Sequence, residues 1–332
     1  MTRKISGIVV SLATFCTAAA IEAQSMFRGD AMHSGTYAGP APRQFHRVKW
    51  KFPTGDRVIS SPVFKDNVIY FGGDDGNVYA LDSATGDLRW KFKTGDVVHA
   101  APALADGVLF FGSWDSYFYA VDSATGKEKW RFHGGEDPMI HNQVGFQSSP
   151  AVVNGTVYTG CRDSNLYALD AATGKEKWRF FNDLSWVITS PAVADGKVFF
   201  ATSDSSLYHV VDANSDKPIV RQQGKAYMFS SPVVGSDAVF IGVLNGTLEA
   251  RDPKTGDLLW DFKVEKSKQK NGWVLTGDRK FNVPFLFHSN WREAPLLATD
   301  QQIRLGGIYS SPLVVDGVVY FGSADGFVYA LE

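Results

Sequence analysis

The chain has 332 residues, of which 33 are Lys or Arg and 35 are Asp or Glu; its formal net charge is −2, 44% of it is hydrophobic, and it holds two cysteines. That balance gives no basic face for general nucleic-acid affinity, and two cysteines cannot build a disulfide scaffold, while the apolar share is ample for a packed core.

Residues 1–23 begin with Arg3 and Lys4, continue through an apolar run from Ile5 to Ala20, and end in Ala-rich positions suited to cleavage. This reads as a secretory signal peptide, its apolar run shorter than the ~20 residues of a spanning helix, so no transmembrane segment is expected. Cys16 is too poorly flanked, with Phe15 before it, to read as a lipoprotein site. Cleavage removes Arg3, Lys4 and Glu22, takes the charge to −3, and leaves Cys161 as the single cysteine. A periplasmic or secreted protein without an internal disulfide follows. Residues 24–47 are punctuated by Gly and Pro and read as an extended lead-in.

From residue 48 the chain repeats. Val48-Lys49-Trp50-Lys51-Phe52 reads as an outer strand with nothing before it. Six copies of a Ser-Pro phrase or its variant follow, among them SSPVFKDNVIYFGG, AAPALADGVLFFGS and SSPAVVNGTVYTGC. Their prolines, Pro62, Pro102, Pro150, Pro191, Pro232 and Pro312, are separated by 40, 48, 41, 41 and 80 residues. A second phrase recurs as ALDSATGDLRWKF, AVDSATGKEKWRF, ALDAATGKEKWRF and ARDPKTGDLLWDF. Alternating apolar runs joined by turn residues give four antiparallel strands, A to D, per unit of about 40 residues, which is the blade of a β-propeller. Asp-x-x-Thr-Gly is the turn between C and D, Asp-Gly reads as a two-residue hairpin between B and C, and the Trp offers area for packing blade on blade.

Two units depart from the pattern. The fourth has Val220 in place of Trp and Pro218 inside its outer strand, which an edge strand tolerates. The fifth puts Glu249 where the others are read as Tyr79, Tyr119, Tyr167, Tyr208 and Tyr329, and a surface position is expected for it. The sixth runs A, B, C and stops at Glu332, so Val48–Phe52 is expected to complete it and close the ring, removing exposed sheet edges. The fold class is therefore all-β, a six-bladed propeller of four-stranded antiparallel blades over residues 48–332. The 43 residues from Lys263 to Leu305 are long enough for a degenerate seventh blade but lack its phrases.

The AxDxxTGKxxW phrase resembles the tryptophan-docking repeat of the PQQ-like propellers, which include quinoprotein alcohol dehydrogenases and the outer-membrane assembly factor BamB. The resemblance covers residues 48–332 apart from two insertions, at 133–147 and 263–307, and describes how blades pack rather than a chemistry.

Both insertions connect strand D to the next strand A and rise on the face that carries the B–C turns, where binding residues of a rigid scaffold usually sit. That face should gather His99, Trp114, Arg162, Trp186, Tyr227 and Tyr309, with His133, Glu136, Asp137, His141 and Asn142 from the first insertion and Trp273, His288 and Trp291 from the second. Aromatic residues around a ring mouth suit a flat ligand or a partner's extended segment, unless the second insertion packs its own rings as a plug. His133, Glu136, Asp137 and His141 have no specific metal-ligand spacing, and Lys263, Lys266, Lys268 and Lys270 read as a solvated run.

The expected function is an exported, non-catalytic binding or scaffold protein, monomeric, whose partner is an envelope or secreted protein or a small ligand at the mouth. The alternative is a PQQ-dependent alcohol or sugar dehydrogenase. Resemblance to those enzymes implies eight blades, a quinone held between a Trp and a disulfide of adjacent cysteines, and bound Ca²⁺. Six units and no cysteine pair point away from this, so no cofactor is expected, and PQQ with Ca²⁺ belongs to the alternative alone.

Overall fold

In a computed structural model, which describes residues 25–35, 47–135, 145–182, 185–203, 207–224, 226–264 and 306–332, each Ser-Pro phrase opens one antiparallel sheet. Blade 1 is β1 (Val63–Lys65), β2 (Val68–Gly72), β3 (Asn77–Asp82) and β4 (Leu88–Lys93), paired in that order. Blades 2 to 5 repeat it, from β5 (Ala103–Ala105) to β8 (Glu128–His133), β9 (Ala151–Val153) to β12 (Glu176–Phe181), β13 (Ala192–Ala194) to β16 (Pro218–Gln223), and β17 (Val233–Val234) to β20 (Leu258–Lys263). Blade 6 has three strands, β21 (Leu313–Val315), β22 (Val318–Gly322) and β23 (Val328–Leu331). Successive first strands, β1, β5, β9, β13 and β17, touch one another, so the first strand of each blade lines the axis and the fourth lies outside.

The two-residue hairpins fall between the first and second strands, not between B and C as expected. Asp106-Gly107, Asn154-Gly155 and Asp195-Gly196 each have two positive φ angles, the type I′ geometry that matches strand twist. The B–C connection is longer and is held by an acidic residue. In blade 1, Asp75 accepts the hydroxyl of Tyr79 on its own blade and the N–H of Gly55, at 3.0 Å, from the connection before it. Asp115 does the same with Tyr119 and Gly95, and Asp163 with Tyr167 and Gly135. Burial and the Asp75 carboxylate together push the Tyr79 hydroxyl up to about 12. The Asp-x-x-Thr-Gly turns behave as read: Asp82 accepts the N–H groups of Ala84 and Thr85, and Gly86 closes the turn at φ 81°.

Blades join through two repeated contacts. The outer-strand Trp donates its indole N–H to a carbonyl in the next blade's C–D turn: Trp90 to Ser123 at 2.9 Å, Trp130 to Ala171 at 3.0 Å, Trp178 to Ala213 at 3.3 Å. Nearer the axis, a residue two places before the Ser-Pro phrase lies on a glycine of the previous blade's second strand. A Cβ on Gly72, Gly112, Gly160 or Gly242 would come within 2.1 to 2.4 Å of Val98, Phe146, Val187 or Ile308. Because Ile308 of blade 6 packs directly on Gly242 of blade 5, no seventh blade stands between them.

The N-terminal strand is met in part. Trp50 donates to the Ser83 carbonyl at 3.1 Å, Phe52 meets Tyr79 edge-on, and Gly55 bonds Asp75, which are the contacts an outer strand makes on the following blade. Yet among the described residues Val48–Phe52 is not in a sheet, and β23 gains no fourth strand. The first and last blades are not packed together: Gly322 faces only Ser310 of its own blade, and Val58, which would cover it, is 46% exposed. An apolar groove of about 240 Å³ beside Trp50, Phe52, Val58, Phe71 and Leu81 marks the uncovered side of blade 1.

Instead of an extended lead-in, residues 25–35 form two tight turns on the axis. Gly29 N–H bonds Met26 and His33 N–H bonds Asp30, with Arg28, Gly29 and His33 all at positive φ. In a hairpin with a two-residue turn, the middle residue of a three-residue first strand points its N–H away from its neighbour, here toward the axis. Leu104 donates to Ser25 at 2.6 Å, Val193 to Ala31 at 2.6 Å and Val234 to Met32 at 3.2 Å, while Val152 N–H meets Met26 Sδ at 3.4 Å. Four blades thus use one aperiodic segment to satisfy equivalent amides.

Candidate functional site at the channel mouth

A residue in the connection after each second strand bonds the chain approaching the first. Asp74 N–H bonds Arg57, Trp114 bonds Val97, Arg162 bonds Gly145, Ser203 bonds Trp186, Leu244 bonds Tyr227 and Ala324 bonds Gly307. B–C turns and D-to-A connections therefore share one face, as the meander requires.

On that face four of the expected residues form a continuous stack. The ring of His99 lies edge-on to Trp114, centroids 4.7 Å apart. The Arg162 guanidinium is 3.9 Å from the Trp114 ring centroid and 5.2 Å from that of Trp186, so it lies against both rings. Its Nη2 also donates to Gln147 Oε1 at 2.7 Å. At the other end His99 Nε2 is 2.8 Å from Asp74 Oδ1, and Arg57 Nη2 is 3.0 Å from Asp74 Oδ2. The Asp74 side chain is 2% exposed, whereas that of Arg57 is 76% exposed, so the pair presents its cation to solvent. The stack runs across blades 1 to 4. Among the described residues the Trp114 indole N–H has no hydrogen-bond partner. A guanidinium flanked by indoles is a desolvated, fixed cation with a π-rich rim, which suits carboxylate or aromatic groups on a ligand.

The other expected residues are apart from it. Tyr309 stacks with Phe229 at 6.2 Å on the side of blades 5 and 6, and Tyr227 packs into the core between blades 4 and 5. His133 ends β8, exposed, against the edge of Tyr117, and does not join the stack. Glu136, Asp137, His141, Asn142, Trp273, His288 and Trp291 lie outside the described residues, as does the Lys266–Lys270 run. Asp74, Arg57 and Gln147 were missed. Asp74 holds the same repeat position as Trp114 and Arg162, so aligning the units by that position would have found it.

Glu249 is not on the surface. It is 1% exposed, and Arg251 Nε and Nη2 reach its Oε2 at 2.9 and 2.6 Å. The register also corrects the residue equivalent to Tyr79, which pairs with Phe71: in blade 4 the residue opposite Phe200 is His209, not Tyr208.

Six radial antiparallel sheets with a bonded turn face define a β-propeller. The family model described as outer membrane protein assembly factor BamB matches residues 43–182 and 162–280, more than half of the chain, and the chain belongs to that PQQ-like repeat family. Similar solved structures include BamB from Moraxella catarrhalis (18% identity, TM-score 0.65, 86% of this chain and 77% of that one). Quinohemoprotein alcohol dehydrogenase from Comamonas testosteroni is another (16%, TM-score 0.71, 90% of this chain and 57% of that one), as is a computationally designed protein, Ika8 (18%, TM-score 0.61, 82% and 70%). The chain thus spans little more than half of the dehydrogenase. No curated protein sequence matches it.

Proposed function

We propose that the protein is an exported, non-catalytic propeller that binds a partner through its loop-bearing face. The observation that supports this is the His99–Trp114–Arg162–Trp186 stack, a preformed cationic and aromatic surface at the mouth. Its partner is an extended protein segment carrying carboxylate or aromatic side chains, or a small ligand with the same groups, in the periplasm or outside the cell. Membership of a family described by an envelope assembly factor agrees with the protein-partner reading. No helix among the described residues is long and apolar enough to cross a membrane.

The second reading is a PQQ-dependent dehydrogenase, favoured by the likeness to the Comamonas enzyme. The residues do not fit the quinone site that resemblance implies. Cys161 has no adjacent cysteine, is fully buried beside Gly134 and Gly145, and burial pushes its thiol well up. No group of three metal-ligating side chains occurs among the described residues.

Calorimetric titration of the mature protein with PQQ, with and without Ca²⁺, separates the two. No heat is expected, and tight calcium-dependent binding would establish the dehydrogenase reading instead. In parallel, cross-linking of the protein in an envelope fraction should give a discrete adduct that Arg162→Ala and Trp114→Ala both abolish while leaving the melting temperature within a few degrees. An adduct indifferent to both changes would remove the mouth from the binding surface.

A further inference from the structure

Segment 25–35 contacts blades 2, 3, 4 and 5 through Leu104, Val152, Val193 and Val234, and reaches blade 6 where Arg28 Nη1 donates to the Ser311 carbonyl at 2.7 Å. His33, 1% exposed, donates from Nδ1 to the Pro232 carbonyl at 3.1 Å and receives the edge of Phe27. The segment is shaped internally as well. Asp30 Oδ1 accepts the N–H groups of Met32 and Ser34, Arg28 Nε donates to the His33 carbonyl, and Gly35 N–H bonds Arg28. At Gly35, φ is +70° and a Cβ would stand 2.5 Å from the Arg28 guanidinium and 2.8 Å from Leu313. A pre-bent peptide thus meets an array of equivalent wall amides, with separate carbonyl acceptors for its imidazole and its guanidinium.

We propose that the inner wall of the propeller is a peptide-binding site whose ligand is this chain's own residues 25–35, and that the segment seats and leaves as one unit with His33 as its latch. Seated, it blocks the axis and ties five blades together. Released, it uncovers the amides of Leu104, Val193 and Val234 and opens the channel from the mouth inward.

The latch responds to acid. Burial, offset in part by the Pro232 carbonyl, lowers the His33 imidazole from its ordinary 6.5 to about 4. The charged groups facing it are Arg28, which lowers it further, and Asp30, which opposes that; both lie in the segment itself. A base whose value is depressed when seated stabilises the seated state fully above about 6.5 and progressively less as pH falls toward 4. Across that window the seating equilibrium should weaken on the order of 100-fold.

Amide hydrogen exchange on the full mature chain tests this. At pH 7, His33→Ala should lower the protection factors of Leu104, Val193 and Val234 at least tenfold together, while amides between the second and third strands of the same blades keep theirs. A synthetic peptide of residues 24–35, added to that variant, should restore them. If the variant does not fold, the unaltered protein decides the matter: the three amides should lose protection as a group between pH 6.5 and 4, ahead of the strand amides. Loss only together with all other amides, unchanged protection in the variant, or failure of the peptide to restore it would overturn the proposal.

Discussion

Arg251→Ala is expected to destabilise the protein by about 3 to 5 kcal/mol in chemical denaturation, the cost of leaving a buried carboxylate without its cation. Glu249 and Arg251 are both almost fully buried, and Arg251 further donates to the Gly256 carbonyl at 2.9 Å. The joint between blades 4 and 5 explains why an ion pair is there. Val220 stands in the Trp position and lies against the Gly256 turn, where a Cβ would come within 2.1 Å of it. Valine leaves space that the long Arg251 side chain fills, its guanidinium 5.5 Å from the Tyr208 ring centroid, and Glu249 neutralises it from the Tyr position. The three departures from the repeat therefore compensate one another. Replacing both partners at once, Glu249→Leu with Arg251→Leu, should cost far less than Arg251→Ala alone, since no charge is then stranded. A loss in the double variant equal to the sum of the losses in the two single variants would show that the pair carries no coupling.

The second large effect concerns the glycines under the blade joints. Gly160→Ala should cost about 3 kcal/mol, because the new Cβ would meet the Val187 carbonyl oxygen at 2.1 Å and the backbone cannot step aside without parting blades 3 and 4. Gly322 occupies the same place in blade 6, but the nearest atom a Cβ would meet there is Ser310 Oγ at 3.7 Å. Gly322→Ala should change stability by less than about 0.5 kcal/mol. A cost at Gly322 matching that at Gly160 would mean that the first blade covers the last and the ring is closed as the repeat alone suggests.

Much of this architecture can be read from the chain because it is periodic. The Trp of each outer strand, the Asp-x-x-Thr-Gly turn and the Ser-Pro phrase recur, and each recurrence is one contact made again. Where one unit differs, the reading loses its frame. Blade 4 has Leu207-Tyr208-His209 where blade 1 has Asn77-Val78-Tyr79, so a tyrosine one place early was taken for its equivalent, and Glu249 was left without a partner. The axial segment could not be found this way, since it repeats nothing and its partners are backbone amides that carry no residue identity. Of the mouth, position in the repeat was enough to choose His99, Trp114, Arg162 and Trp186. It could not show that they stack, nor that Tyr309 and His133 stand apart.

The bond from Arg28 to Ser311 joins residues 283 apart in sequence. Residues near the front of the chain therefore complete their contacts last, since the carbonyl that Arg28 bonds is not present until the sixth repeat has emerged. Blades can form one after another from neighbouring sequence, but the last tie of the axial segment must wait, and contacts between residues so far apart form slowly. A chain interrupted before blade 6 should thus hold its front segment without the Arg28 bond, and that segment should be cut by proteases faster than in the chain that includes blade 6.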